Sequence, residues 1–116
     1  MTIEIYHNPR CSKSRQTLEL LRDRGIEPTI IAYLDETPDA DELESVLKKL
    51  GMTPDDIMRT GEQPYKDARD EVAAMNDAEK ILWLVANPQV IQRPIVINGD
   101  RARIGRPPES VLDILP

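Results

Sequence analysis

The chain has 116 residues, enough for one core of ordinary size, and its longest unbroken apolar run, Ile81 to Ala86, is six residues where a membrane span needs roughly 20. Fifteen Lys and Arg against 21 Asp and Glu give a formal net charge of −6, and one Trp, three Tyr and no Phe leave little for base stacking, so general nucleic-acid binding is excluded with the membrane span. A single cysteine excludes an internal disulfide framework and leaves too few thiols for a cysteine-based zinc site, and Met1-Thr2-Ile3-Glu4 shows no basic n-region or apolar h-region of a secretory signal. The expectation is a cytoplasmic domain with a free thiol and no metal.

Strand and helix patterns alternate along the chain. Ile3 to Tyr6 and Thr29 to Leu34 are short apolar and β-branched runs, and between them Ser14 to Arg24 carries Leu18 and Leu21 on one helical face, with Gly25 as its stop. This is a βαβ pattern with two parallel strands. A helical middle follows. Leu43, Val46, Leu47 and Leu50 fit the i, i+3, i+4, i+7 template of a helix opened by Thr37-Pro38 and closed by Lys48-Lys49-Gly51. Thr53-Pro54-Asp55 opens a short helix ending near Arg59. Lys66 to Met75 is a weakly patterned helix, and Asn76 with Glu79 makes the capping box of one running to Ala86, stopped by Asn87-Pro88. Ile95 to Asn98 and Arg101 to Ile104 form a hairpin around Asn98-Gly99-Asp100, and Pro108 starts a last helix with Val111, Leu112 and Leu115 inward. The order is βαβ, a helical insert at about 37–86, then ββα, within a single domain of residues 1–116.

Charge is unevenly placed. Asp35 to Glu79 holds 14 acids and five bases, whereas Arg93 to Pro107 holds four arginines and one acid. A cationic segment on an acidic chain suits the steering of a small anion to one site. The candidate nucleophile is Cys11, between the first strand and the first helix in His7-Asn8-Pro9-Arg10-Cys11-Ser12-Lys13-Ser14-Arg15. A thiol there feels the positive end of the helix dipole and its unpaired N–H groups, which favour the thiolate and make an oxyanion cradle. Arg10, Lys13 and Arg15 add positive charge, and His7 is a candidate hydrogen-bond partner. A lone cysteine is more commonly a small buried hydrophobe, but these neighbours are polar and cationic. Arg59, Arg93 and Arg106 read singly as surface arginines; spacing alone does not bring them together. Arg93 precedes Pro94 at the start of a strand, where an X-Pro bond is free to be cis.

The βαβ–ββα order, Cys-x-x-Ser at the first helix and Pro at the third strand resemble the thioredoxin fold, an α/β architecture with a four-stranded mixed sheet. More specifically, Tyr6-His7-Asn8-Pro9-x-Cys11-x-x-Ser14-Arg15, Arg59 with Glu62-x-Pro64-Tyr65, Gln92-Arg93-Pro94-Ile95-Val96, Gly105-Arg106-Pro107 and Val111 to Pro116 resemble the glutaredoxin-coupled arsenate reductases over essentially the whole chain. The resemblance implies Cys11 as nucleophile, Arg59, Arg93 and Arg106 as oxyanion-binding arginines, and Pro94 as the fold's cis-proline, with His7, Ser14 and Arg15 in support. It also implies arsenate as substrate and no bound cofactor, with glutathione and then glutaredoxin as external reductants. Two alternatives fit the same fold. One is a glutathione-dependent thiol-disulfide oxidoreductase without arsenate activity. The other is a non-enzymatic regulator that binds RNA polymerase, whose Cys-x-x-Cys switch is precluded here by Ser14. A Cys-based phosphatase needs five residues between Cys and Arg, and Cys11 and Arg15 enclose three.

Overall fold

The computed structural model describes residues 2–116; Met1, where the expected single domain begins, lies outside the described residues. The chain forms two compact units, one made of the segment up to Glu36 with Arg93–Pro116, the other of Thr37–Gln92.

The first unit is built on a four-stranded sheet of β1 (Ile3–Tyr6), β2 (Thr29–Ile31), β3 (Ile95–Asn98) and β4 (Arg101–Ile104), in the spatial order β2-β1-β3-β4. β1 pairs with β2 in parallel, Ile5 opposite Ile30, and with β3 antiparallel, Ile5 opposite Val96. The sheet is therefore mixed, as the βαβ–ββα order requires. Ile95, Val96 and Ile97 are all buried, which is why β3 reads as a continuous apolar run: it is an interior strand with both faces covered. Asn98 lies opposite Arg101, so Gly99-Asp100 forms a two-residue turn in which Gly99 takes φ +64°. β2 is shorter than its apolar run predicts. Beyond Ile31 the Tyr33 amide bonds back to the Ile31 carbonyl at 2.9 Å and that of Asp35 to Ala32, so the chain turns instead of extending the ladder.

Helix α1 (Ser12–Asp23) carries Leu18 and Leu21 into a core with Ile3, Ile5, Val96, Val111 and Ile114. The expected last helix is corrected by the structure. Pro108–Ile114 is a 3₁₀ helix, so its inward row repeats every three residues: Pro108, Val111 and Ile114 are buried and Leu112 is turned to solvent, 36% exposed. Leu115 is half-buried against the same core.

The second unit contains α2 (Ala40–Leu50), a 3₁₀ turn over Pro54–Ile57, α3 (Gln63–Ala73), α4 (Asp77–Ala86) and a further 3₁₀ turn over Pro88–Val90. α2 begins later than Thr37-Pro38 suggests, because Asp39 is the residue whose carboxylate accepts the Glu42 amide at 2.8 Å. Leu43, Val46, Leu47 and Leu50 form its buried face. α3 buries only Val72 and is broken at Ala68, which explains its weak pattern. The Asn76–Glu79 capping box of α4 is present in both directions, at 2.9 and 3.1 Å. An antiparallel bridge between Met58 and Ile91, held by Arg59 N–H to Val90 and Gln92 N–H to Ile57, fixes the chain at Arg59. Among the described residues no helix is long and apolar enough to cross a membrane.

Candidate active site

The loop from β1 to α1 is set by local hydrogen bonds. The His7 amide donates to Ile31, keeping the chain beside β2 for one residue past β1. Asn8 then starts a turn: its side-chain carbonyl accepts the Arg10 amide at 3.0 Å and its backbone carbonyl accepts the Cys11 amide at 3.0 Å, with Pro9 supplying the preset φ at the corner. Arg15 Nη1 clamps the Pro9 carbonyl at 2.9 Å, so Arg15 braces the loop from outside. Cys11 emerges as the N-cap of α1 in extended conformation (φ −91°, ψ 123°), and no side chain caps the helix. Its sulfur lies at the open end of the helix, where the nearby Ser14 and Lys13 amides favour the thiolate without capping the helix.

Two guanidiniums complete the sulfur's surroundings. Arg106 Nη1 lies 3.7 Å from Cys11 Sγ and 3.3 Å from the Arg93 carbonyl, and the Arg93 side chain also donates to the sulfur. Burial pushes the Cys11 thiol up. The Ser14 amide, the Arg93 side chain, the Lys13 amide and Arg106 act against it, and the net effect holds the thiol below its ordinary value. The Arg93–Pro94 and Arg106–Pro107 bonds are both cis.

Beside the sulfur, Ser14 forms a buried pair with His7. Ser14 Oγ accepts the Asn8 amide at 3.0 Å and sits 2.6 Å from His7 Nδ1. Burial first, then the charges of Arg22 and Arg15, hold His7 below its ordinary value. A neutral ring that accepts the Ser14 O–H hydrogen bond at Nδ1 carries its own proton on Nε2. The hydrogen bond considered for His7 in the sequence thus goes to Ser14.

Of the sequence-nominated residues, the first unit gathers Cys11, Arg93 and Arg106 at one sulfur, with Ser14 beside it and bonded to His7, Arg15 in α1 bracing the loop, and Pro94 next to Arg93. Arg59 belongs to the second unit. There its Nη1 donates to Gln92 Oε1 at 3.2 Å, and its side chain is half-buried. No group of three His, Cys, Asp or Glu side chains among the described residues is arranged to hold a metal ion. Thr17, which no sequence motif marks, meets Gly105 of Gly105-Arg106-Pro107 at the base of the Arg106 segment; the available signal was a glycine placed directly before Arg-Pro-Pro.

A thiol at the N-terminus of the first helix, a cis-proline opening the third strand and a mixed four-stranded sheet define a thioredoxin-like protein. The ArsC family's model matches residues 6–114, and the chain belongs to that family. An arsenate reductase of Haemophilus influenzae is 48% identical over 118 residues, covering 99% of this chain and 100% of its own length. The Escherichia coli protein YfgD is 46% identical over 114 residues, covering 97% of this chain and 96% of its own. The solved structure of an arsenate reductase from Vibrio cholerae superposes with a TM-score of 0.94 at 42% identity, covering 99% of this chain and 98% of that one.

Proposed function

We propose that this chain reduces arsenate to arsenite through a covalent adduct on Cys11. The observation that carries the reading is the convergence of the Arg93 and Arg106 guanidiniums and the α1 N-terminus on one sulfur. Arsenate is a tetrahedral oxyanion, and guanidinium forks bind such oxygens with directed, charge-assisted hydrogen bonds. The thiolate attacks arsenic as one As–O(H) bond breaks, and the departing hydroxide takes a proton from solvent to leave as water, with the arginines neutralising charge as it develops; one such directed donor is commonly worth about 3–4 kcal/mol. Arg59 is proposed as a third oxyanion arginine on the family resemblance alone.

Reduction of As(V) to As(III) takes two electrons, the number released when two thiols join as a disulfide. Cys11 is the only cysteine, so at least one thiol comes from outside, and glutathione followed by glutaredoxin is the proposed source. No bound cofactor or metal is needed for this balance. A cytoplasmic setting, where such thiols are kept reduced, suits it.

The test is arsenite formation with glutathione and glutaredoxin supplied, run beside turnover of a glutathione mixed disulfide. Arsenite release dependent on Cys11 supports the proposal. Disulfide turnover with no arsenite would reassign the chain to thiol-disulfide exchange, and capture on RNA polymerase with neither activity would reassign it to a binding role.

A further inference from the structure

We propose that Thr17 is a positioning residue for the Cys11 site: packed against Gly105, it fixes where the Arg106 guanidinium stands relative to the sulfur. The inference rests on the reading of Arg106 as an oxyanion arginine.

Cys11 is the N-cap of α1, and Ser14 and Thr17 follow it at intervals of three, each fully buried. The Thr17 hydroxyl has a single hydrogen, and it goes to the Lys13 carbonyl at 2.8 Å, with the Gly105 carbonyl at 3.4 Å. That back-bond to the preceding turn locks a β-branched side chain already stiff at χ1. Thr17 therefore presents a fixed surface, and Gly105 rests on it. A Cβ at Gly105 would stand 2.5 Å from Thr17 Oγ1, 3.1 Å from Thr17 Cγ2 and 2.8 Å from Pro94 Cγ. Only a residue without a side chain approaches this closely.

Gly105 is also tied to Pro94, its amide donating to the Pro94 carbonyl at 2.9 Å. The backbone at Gly105 thus meets both α1 and the Arg93-Pro94 segment. Arg106 is the next residue, and its Nη1 spans Cys11 Sγ and the Arg93 carbonyl. Cys11 and Thr17 share one helix, some 9 Å apart along its axis at 1.5 Å per residue. The depth at which Gly105 seats on Thr17 therefore sets the reach of Arg106 to the sulfur. Placement at this level matters, since an error of about 1 Å at a reacting centre can cost on the order of 100-fold in rate.

The experiment is titration of the Cys11 thiol by alkylation rate against pH in Gly105→Ala, with and without Arg106→Ala. Gly105→Ala is expected to raise the thiol pKa by about half a unit or more when Arg106 is present, as the guanidinium withdraws. In the Arg106→Ala background the added methyl is expected to change the pKa by no more than about 0.2 units, the signature of a residue acting through another. Thr17→Val, which keeps the shape and removes the hydroxyl, is expected to show a smaller rise that also vanishes without Arg106, and it serves if Gly105→Ala does not fold. An unchanged pKa with Arg106 present, or an equal rise in both backgrounds, overturns the proposal and leaves the contact as packing. The titration uses neither arsenate nor glutathione, so its outcome is independent of whether arsenate is the substrate.

Discussion

Cys11 is activated by geometry more than by any one cation. Its thiolate is favoured by two backbone amides that an α-helix leaves unpaired at its start, and two arginines reach it from the segments on either side of β3 and β4. The thiol should accordingly titrate below the free-cysteine value of about 8.5, a midpoint at or above that value contradicting the activated thiolate. Arg93→Lys and Arg106→Lys should each lose about tenfold or more in catalytic efficiency, about 1.4 kcal/mol, because a point-charge ammonium does not reproduce the directed fork. Arg24→Lys, exposed at the far end of α1, should stay within roughly twofold; equal losses at all three positions would reduce the arginines to surface charge. His7 supplies the pH dependence. Its folded pKa is depressed, so the unfolded chain takes the proton first as pH falls. Its contribution to stability is whole above about 6.5 and is lost as pH drops through the depressed folded value. Urea midpoints at mildly acidic and neutral pH should show this slope in the wild type and a shallower one in His7→Gln. The placement of the Cys11 thiol at a helix start was legible in the sequence because Pro9, Cys11 and the helix start lie within a few residues of one another. The His7–Ser14 bond was not, since it depends on the Asn8 turn folding seven residues back on themselves.

At the level of elements, the sheet followed directly from residue pattern. β1, β3 and β4 fall where the runs end, because turn residues or a proline bound each of them. The last helix did not follow so simply. Val111, Leu112, Ile114 and Leu115 satisfy either helical period about equally over so short a stretch, and only the packing of Val111 and Ile114 into the core of Ile5, Leu21 and Val96 selects the three-residue repeat. The two readings make opposite predictions for a pair of substitutions. Ile114→Ala should destabilise by about 2–5 kcal/mol, as for other buried aliphatic truncations. Leu112→Ala should cost clearly less, about 1 kcal/mol, because Leu112 is 36% exposed and lies outside the buried row. Denaturant unfolding of both variants measures the difference, and a costlier Leu112→Ala would restore an α-helical register. The kink at Ala68 is a further place where propensity gave no warning: Lys66 to Ala73 contains no glycine or proline to mark it.

For the whole molecule, composition constrains the chemistry through one count. A chain with a single cysteine cannot store two electrons as an internal disulfide, and Ser14, at the position where a second thiol would sit in a Cys-x-x-Cys pair, is committed to His7 and Asn8. Each catalytic cycle that oxidises Cys11 must therefore end with an incoming thiolate attacking a sulfur or arsenic already bound there. Access fits this requirement: Cys11 is partly exposed, and Pro9, Arg10 and Ser12 around it are exposed. Turnover should consequently vanish when no thiol is added, and the enzyme quenched during turnover should carry glutathione on Cys11, detectable by intact mass and absent from Cys11→Ser. Multiple turnovers without added thiol would show that electrons reach the site by another route. A Cys11 that turns over but never carries glutathione would point to direct transfer from a protein thiol, and the single cysteine would then be paired with its reductant by protein contact alone.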